Sequence, residues 1–223
     1  MAIKSFEGDT FMAYTDIAGF RKMMRSGKAL EALDAFYSGG YKTLKKQVSK
    51  KIRIDGFFIS DCGVLFTRNS GASKVDELQA LLGVVKEINQ LMARSGFMLM
   101  TSIAYGFFKY EDRIDLEMIK QNAVEGGAYV KTYVDNEADL PKIHPGQCRI
   151  IREDLPEEVA DAIASGKGTG ELSLIKKYKS RNHYYYWWMA KEADGITSVE
   201  NMYNNLEDVM YWGLMEKIRL NLS

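Results

Sequence analysis

The sequence predicts an α/β (α+β) fold with a split βαβ core. Three observations predict it: an aromatic strand that leads into a helix at residues 10–24, a pair of short strands around Asp61, and a nearly all-apolar strand at residues 97–108 behind an amphipathic helix. The resulting order of strand, helix, strand, strand, helix and strand is the ferredoxin-like βαββαβ arrangement. Further strands and a helix follow this core toward the C-terminus.

The composition is that of one globular domain. The chain has 223 residues, of which 46% are hydrophobic and 27% charged, and it contains only 3 prolines. These values are ordinary for a folded protein with a proper core. We therefore expect a single domain over residues 1–223, with the core at about residues 6–151 and a C-terminal elaboration at about residues 152–223.

Charge and hydropathy argue against several classes of protein. Thirty basic and 30 acidic side chains give a net charge of 0, whereas nucleic-acid binders usually carry a basic excess. No apolar run approaches the roughly 18–20 residues that cross a bilayer, and the N-terminus lacks the apolar core of a signal peptide. Two cysteines do not make a disulfide framework. We expect a cytoplasmic protein with neither a nucleic-acid nor a membrane partner.

Apolar spacing divides the first half of the chain into elements. Thr10–Thr15 is rich in Phe, Tyr and Thr and predicts a central strand. Ile17–Met24 turns helical, and a longer helix follows. Spacings of three and four predict that the apolar residues of this helix form its buried face: Leu30, Leu33, Phe36, Tyr37, Tyr41 and Leu44. Lys45–Arg53 is basic and typical of a solvated helix end. Ile52–Ser60 and Gly63–Thr67 predict a hairpin.

The second half begins with the strongest helix signal. Ser73 is placed to cap a helix over Val75–Met92, and Gly96 ends it. Phe97–Phe108 predicts a strand buried on both faces, followed by a charged loop at Lys109–Asp115. The remaining predicted elements are a helix that includes Gly126–Val134, a strand at Gln147–Ile151, a helix at Pro156–Ala164, a strand pair at Leu172–Tyr178 and His183–Met189, and a closing helix at Val199–Leu220.

Two aspartates, Asp16 and Asp61, stand at the ends of buried strands. In the split βαβ order the first strand lies beside the hairpin, so we expect the two carboxylates to meet. Hard oxygen ligands of this kind suit Mg²⁺ or Mn²⁺ together with phosphate oxygens. We expect two such ions per active site. The backbone of Ile17, Ala18, Gly19 and Phe20 would offer N–H groups to phosphate at a helix N-terminus.

A purely structural interpretation competes with this one. Asp16 alone is typical of a helix cap, and Asp61 alone is typical of a tight hairpin turn. The pairing of both with buried strands favours the metal site.

Four segments resemble class III nucleotide cyclases. AYTDIAGF is similar to the first-strand motif of that family, and KIRIDGFFISDCGVLF is similar to its hairpin. TSIAYG and GGAYVKTYVDNE resemble the following strand and the segment after it, less specifically. The resemblance spans roughly Phe11 to Glu137. It implies a head-to-tail homodimer with active sites at the interface. Asp16 and Asp61 would bind both metals, with help from the Ile17 carbonyl, and a 3′-hydroxyl would attack the α-phosphate of its own nucleoside triphosphate.

The sequence departs from the purine cyclases at four positions. Phe57 stands where the family places a Lys or Glu that reads the base. A bulky apolar ring cannot hydrogen-bond a purine edge and narrows the pocket. Lys131 and Asp135 align with the transition-state Asn and Arg of the family, and Met100 aligns with its triphosphate-binding Arg.

The sequence keeps both metal-binding aspartates of the family but lacks its purine-recognition residues. In this combination it is similar to the bacterial pyrimidine cyclases of the Pycsar anti-phage system. This resemblance implies a UTP substrate, a cyclic UMP product and a separate effector protein that responds to it. The alternatives are a cytidylate cyclase, a divergent adenylate cyclase, and a degenerate cyclase-fold module that binds a nucleotide without turnover. A polymerase-palm nucleotidyltransferase would bind metal ions through carboxylates in the same way. It would carry a second acidic residue on the hairpin, whereas the segment SDCG contains a single acidic residue, Asp61.

Several other residues are weaker candidates. Lys131 is expected to contact substrate. The cationic residues that remain for the triphosphate are Arg53, Arg113, Lys176, Lys177, Lys179 and Arg181. Tyr105 and the YYYWW run suggest either a base-stacking platform or core. The two histidines and two cysteines lack metal-ligand spacing, so no role is predicted for them.

Overall fold

A computed structural model describes residues 3–112, 122–139, 141–166, 168–178 and 180–204. Its centre is one eight-stranded sheet with the strand order β2–β3–β1–β4–β6–β8–β7, and β5 pairs with β4. The strands are β1 (Phe6–Ile17), β2 (Ile54–Ile59), β3 (Cys62–Thr67), β4 (Leu99–Asp112), β5 (Asn122–Glu125), β6 (Cys148–Ile151), β7 (Ile175–Lys177) and β8 (His183–Tyr186). The helices are α1 (Phe20–Ser26), α2 (Ala29–Gln47), α3 (Lys74–Arg94), α4 (Gly127–Glu137), α5 (Glu157–Ala164) and α6 (Ile196–Asn204).

The first four strands have the predicted split βαβ topology. β1 lies between β3 and β4 and is antiparallel to both, and β2 forms a hairpin with β3. The ferredoxin-like βαββαβ prediction is therefore confirmed. The sheet continues past β4, because β6 pairs with β4 in parallel and then with β8.

Two apolar clusters cover the two faces of the sheet. The larger joins α2, α3 and the C-terminal region to residues such as Phe11 and Ala13 of β1. The smaller joins α4 to the alternate residues Met12 and Tyr14. Because neighbouring strand residues point to opposite faces, β1 is buried on both sides, as its aromatic, apolar sequence predicted.

The buried face of α2 differs from the prediction. Leu30, Tyr37 and Tyr41 are exposed, and the helix buries mostly small residues instead. The buried positions are Ala29, Ala32, Phe36, Gly39, Gly40 and Thr43. The small side chains allow the helix to approach Phe58 of β2 closely, and Phe58 packs edge-on against Phe36 with ring centroids 4.8 Å apart. Close packing, rather than apolar bulk, selects this face.

The helix α3 begins and ends as predicted. The Ser73 hydroxyl accepts a hydrogen bond from the Asp76 amide, and Gly96 adopts a φ of 91° after the last turn, a conformation that favours glycine.

The predicted charged loop at Lys109–Asp115 is wrong for its described part. β4 continues to Asp112 because residues 109–112 find partners in β5. Lys109 also forms ion pairs with Glu7 and Glu111, so the charged side chains of this strand end neutralise one another.

The C-terminal region adds β7, β8 and α6. The five aromatic residues of the YYYWW run are all buried, so they are core rather than a stacking platform. α6 begins at Ile196, earlier than predicted, and is described to Asn204; the predicted helix residues 205–220 lie outside the described residues.

Two helical glycines give a test of the close approach of α2. A Cβ atom at Gly40 would lie 2.9 Å or less from three ring carbons of Phe58, whereas one at Gly83 of α3 would meet nothing within 4 Å. Alanine favours a helix by about 1 kcal/mol over glycine, but overpacking costs about 1–3 kcal/mol. We expect Gly83→Ala to raise the free energy of unfolding and Gly40→Ala to lower it, measured by urea denaturation. Equal effects at the two sites would contradict this packing.

Candidate active site

The first and third strands bring Asp16 and Asp61 together. In the antiparallel register Asp16 is paired with Cys62, the residue after Asp61. The Ile17 amide donates a 3.0 Å hydrogen bond to the Asp61 carbonyl, which ties the end of β1 to the hairpin turn. One ligand atom each of Asp16, Asp61 and Cys62 lies within 4.8 Å of the others. The structure thus places the predicted aspartates at one point.

The electrostatics of this point suit a cation. Burial raises the pKa of Asp16 to about 7, and the nearby charges of Asp61 and Glu137 raise it further, against a hydrogen bond from Cys62 that lowers it. No basic side chain among the described residues pairs with Asp16. A partly buried carboxylate with a second carboxylate beside it is costly unless its charge is neutralised. Divalent cations with oxygen preference fit this donor set.

Cys62 belongs to the site, although no role was predicted for it. The Tyr14 hydroxyl donates to Cys62 Sγ at 2.8 Å, and the thiol donates to Asp16 Oδ1 at 3.3 Å. Burial raises the pKa of the thiol to about 12, so the cysteine is a neutral hydrogen-bond donor. The signal in the sequence was its place directly after Asp61, which sets it opposite Asp16 once the hairpin register is known.

The chain turns at Gly19, three residues after Asp16. Gly19 has a φ of 78°, a left-handed conformation that favours glycine, and it precedes the first turn of α1. The Ile17 and Ala18 amides donate to Asp61 and Met98 carbonyls. Of the predicted phosphate-binding backbone, this leaves the Gly19 and Phe20 amides, which precede the donation of the Lys22 amide to the Gly19 carbonyl.

Phe57 lies on the same sheet face as Asp16. Its strand partner is Val64, which in turn pairs with Tyr14, two residues before Asp16. The Phe57 ring stacks on Tyr110 with a centroid separation of 5.3 Å and an interplanar angle of 30°. An apolar aromatic pair therefore lies on the sheet face that carries Asp16, although Tyr110 is paired with Phe6 at the other end of β1.

The helix α4 presents two different faces. Tyr129 and Tyr133 contact the Tyr14 ring edge-on. Lys131 lies between them in sequence and so points away from Tyr14. It forms ion pairs with Asp154 and Glu153. The structure does not bring Lys131 to Asp16 within one chain.

Asp135 is held in a buried polar network. Ser102 donates to Asp135 Oδ2 at 2.5 Å, the His183 Nε2 atom lies 2.8 Å from Oδ1, and the Arg149 guanidinium lies 3.1 Å from Oδ1. Although burial raises the pKa of Asp135, these partners together lower it below its ordinary value. Asp135 is a structural anion, and the structural role of His183 was not predicted.

The other candidate cations lie apart from this site or outside the described residues. Arg53 pairs with Asp55 at 2.6 Å, near the beginning of β2 rather than the turn. Lys176 and Lys177 are exposed on β7, and Arg181 is exposed before β8. Met100 is the β4 partner of Asp16 in register. Arg113 and Lys179 lie outside the described residues.

Tyr105 belongs to the larger cluster on the opposite side of the sheet from Phe57. Its ring packs against Phe11 with a centroid separation of 4.8 Å, and the Lys74 ammonium lies over it. This residue is core.

Solved nucleotide cyclase domains share this architecture. The adenylyl cyclase CyaB from P. aeruginosa matches with a TM-score of 0.55 and 12% identity, over 82% of this chain and 95% of that one. The guanylate cyclase domain of RhGC from Catenaria anguillulae, in complex with GTP, matches with a TM-score of 0.53 and 14% identity, over 82% and 97%. A dimeric guanylyl cyclase domain from Blastocladiella emersonii gives 0.55 and 11%, over 83% and 98%.

The chain has the class III nucleotide cyclase fold. No protein-family model and no curated protein sequence matches it. Among the described residues no helix is both long and apolar enough to pass through a bilayer. The fold expected from the resemblance is confirmed by structure rather than by sequence identity.

The raised pKa of Asp16 predicts how stability depends on pH without metal. The folded chain keeps a proton on Asp16 up to about pH 7, which an unfolded aspartate loses near pH 4. Stability from this group is therefore highest at low pH and falls as the pH rises from about 4 to 7. In chelator, Asp16→Asn should gain up to about 4 kcal/mol over the wild type between pH 4 and pH 8.

The measurement is urea unfolding at several pH values, with Asp161→Asn, an exposed aspartate of α5, as the control. Parallel pH profiles for the wild type and Asp16→Asn would contradict the electrostatic description of the site.

Proposed function

We propose that this protein is a metal-dependent pyrimidine nucleotide cyclase that converts UTP to 3′,5′-cyclic UMP and pyrophosphate. The observation that carries the proposal is the convergence of Asp16, Asp61 and Cys62 within 4.8 Å on a class III cyclase fold. The solved domains that share the fold are adenylyl and guanylyl cyclases, which supports the reaction type.

Asp16 and Asp61 would hold the divalent cations through their carboxylate oxygens, with the Ile17 carbonyl as a further oxygen ligand. Mn²⁺ or Mg²⁺ bound there would act as Lewis acids toward the triphosphate and the attacking hydroxyl. The Gly19 and Phe20 amides, at the start of α1, would hold phosphate oxygens. Cys62 orients Asp16 by its hydrogen bond.

The reaction is an intramolecular displacement at phosphorus. The 3′-oxygen forms a bond to the α-phosphorus, the bond from that phosphorus to the bridging oxygen breaks, and pyrophosphate leaves with the electron pair. The proton of the 3′-hydroxyl passes to solvent. The work of this chain is to position the reacting groups and to compensate the developing charge.

Phe57 supports a pyrimidine. It stacks on Tyr110 on the sheet face that carries Asp16, and neither ring face offers the hydrogen bonds that a purine edge requires. A smaller base suits a pocket narrowed by an aromatic pair. CTP is the alternative pyrimidine substrate. The alternative purine enzyme is a divergent adenylate cyclase with an unusual base-binding pocket.

The position of Lys131 supports a homodimer. Lys131 faces away from Asp16 in its own chain, toward Asp154, so it reaches substrate only in a site completed by a second copy. The Blastocladiella emersonii domain of the same fold has been solved as a non-canonical dimer and as a monomer. The proposed biological role is production of a second messenger in anti-phage defence, read by a separate effector protein; it rests on the resemblance to the Pycsar cyclases.

A second candidate function is nucleotide binding without turnover. Lys131 and Asp135 occupy the positions of the transition-state residues in the resemblance, and both are engaged in ion pairs. A module that kept its metal pair but not these groups would bind a nucleotide and release it unchanged.

Product analysis with each of the four ribonucleoside triphosphates and Mn²⁺ separates these functions. We expect cyclic UMP from UTP, and a loss of at least about a hundredfold in rate for Asp16→Ala and for Asp61→Ala. Asp161→Ala, which removes an exposed carboxylate, should leave the rate unchanged. A wild-type protein that binds UTP and Mn²⁺ but forms no cyclic product, with or without phage-infected extract, would overturn the cyclase proposal and favour the binding module.

The same assay tests the base pocket. Phe57→Lys removes the aromatic pair with Tyr110 and should lower the preference for UTP over ATP and GTP, seen as a ratio of kcat/KM values. An unchanged ratio of kcat/KM values in a folded variant would show that Phe57 does not determine base specificity.

A further inference from the structure

The helices α1 and α2 carry a surface that the proposed function does not use. Residues 21–53 contain ten of the chain's 30 lysines and arginines but two of its 30 aspartates and glutamates. The whole chain has a net charge of 0, so this segment is a concentrated basic region balanced elsewhere. Nine of the ten basic residues are exposed.

An apolar stripe runs along the same exposed side of α2. Leu30 is 75% exposed, Tyr41 64% and Val48 46%, and Tyr37 lies on the same line. Positions 30, 37, 41 and 48 fall within about 40° of one another around a helix of 3.6 residues per turn. The opposite side of α2 packs on the sheet, so Leu30, Tyr41 and Val48 face away from the body of the protein. Tyr37, at one edge of the stripe, donates a 2.8 Å hydrogen bond to the Ser60 carbonyl. Exposed apolar residues in one line usually mark a contact surface.

Lysines flank the stripe. The Lys45 ammonium lies 5.8 Å from the centre of the Tyr41 ring, and Lys42 is on the same flank. Among the described residues no carboxylate forms an ion pair with Lys42, Lys45, Lys50 or Lys51. Lys46 is different, because it pairs with Glu87 of α3. The surface therefore combines uncompensated positive charge with exposed apolar side chains.

We propose that α2, with α1 beside it, adsorbs to an anionic lipid surface. A straight helix of 19 residues is about 28 Å long and lies flat on a plane, with its apolar stripe among the acyl chains and its lysines at the anionic headgroups. This combination is typical of interfacial helices. The expectation of no membrane partner came from the absence of a spanning segment, and peripheral adsorption needs none.

Two other occupants fit this surface less well. A second copy of the chain would place basic residues opposite basic residues in a two-fold interface, which is repulsive. A nucleic acid would be attracted by the lysines, but aliphatic residues such as Leu30 and Val48 offer no stacking face to a base. An anionic membrane satisfies both features of the surface.

Vesicle flotation with the full chain tests the proposal, without nucleotide or metal, so that its outcome is independent of the cyclase proposal. We expect binding to vesicles of phosphatidylcholine and phosphatidylglycerol at low salt. Binding should be weak on phosphatidylcholine alone and should fall as salt is added. Lys42→Gln with Lys45→Gln should reduce partitioning roughly thirtyfold, and Leu30→Ser with Tyr41→Ser about tenfold.

The matched charge control is Lys142→Gln with Lys191→Gln, two exposed lysines outside α1 and α2, which should leave partitioning unchanged. An equal loss in this control, or no loss in the α2 variants, would overturn the proposal. Binding of an RNA or DNA oligonucleotide through Lys42 and Lys45 without vesicle binding would overturn it in favour of nucleic acid. A lower sedimenting mass for Leu30→Ser with Tyr41→Ser, again without vesicle binding, would overturn it in favour of a second copy.

Discussion

The register between β1 and β3 is the constraint on which the candidate site depends. It pairs Asp16 with Cys62 and lets the Ile17 amide bond to the Asp61 carbonyl. A slip of one residue would turn Asp16 to the other face of the sheet, because side chains alternate. The register is held because β1 is buried on both faces, with Phe11 in one cluster and Met12 in the other. Packing far from the site thus decides which way its carboxylate points.

Charge compensation separates the structural carboxylates from Asp16, which belongs to the proposed metal pair. Asp55 is held by Arg53 and Arg68, and Asp135 by Arg149. Asp16 has a neutral thiol as its partner and a raised pKa. Because the other carboxylates named here are neutralised by arginines and Asp16 is not, the site fits a bound cation better than it fits a helix cap or a hairpin turn.

The fold was predictable where periodicity and packing agree. The βαββαβ order followed from apolar runs and capping residues such as Ser73. The buried face of α2 was not predictable in this way. Gly39 and Gly40 lie on it because they have no side chain and so allow close approach to their neighbours, which the spacing of hydrophobic residues does not reveal.

The candidate site was predictable only in part. Asp16 and Asp61 were predictable because each lies at the end of a buried strand. The place of Cys62 in the site could be predicted only once the register of the hairpin was known. The contact of His183 with Asp135 joins residues 48 positions apart, which no local sequence pattern reveals.

Calorimetric titration of Mn²⁺ into the wild type, Asp16→Asn and Asp61→Asn tests whether the two aspartates form one cation site. We expect the wild type to bind Mn²⁺ more tightly as the pH rises through about 7, and each single substitution to remove most of the affinity. Wild-type affinity in either variant, or an equal loss in Asp161→Asn, would contradict this expectation.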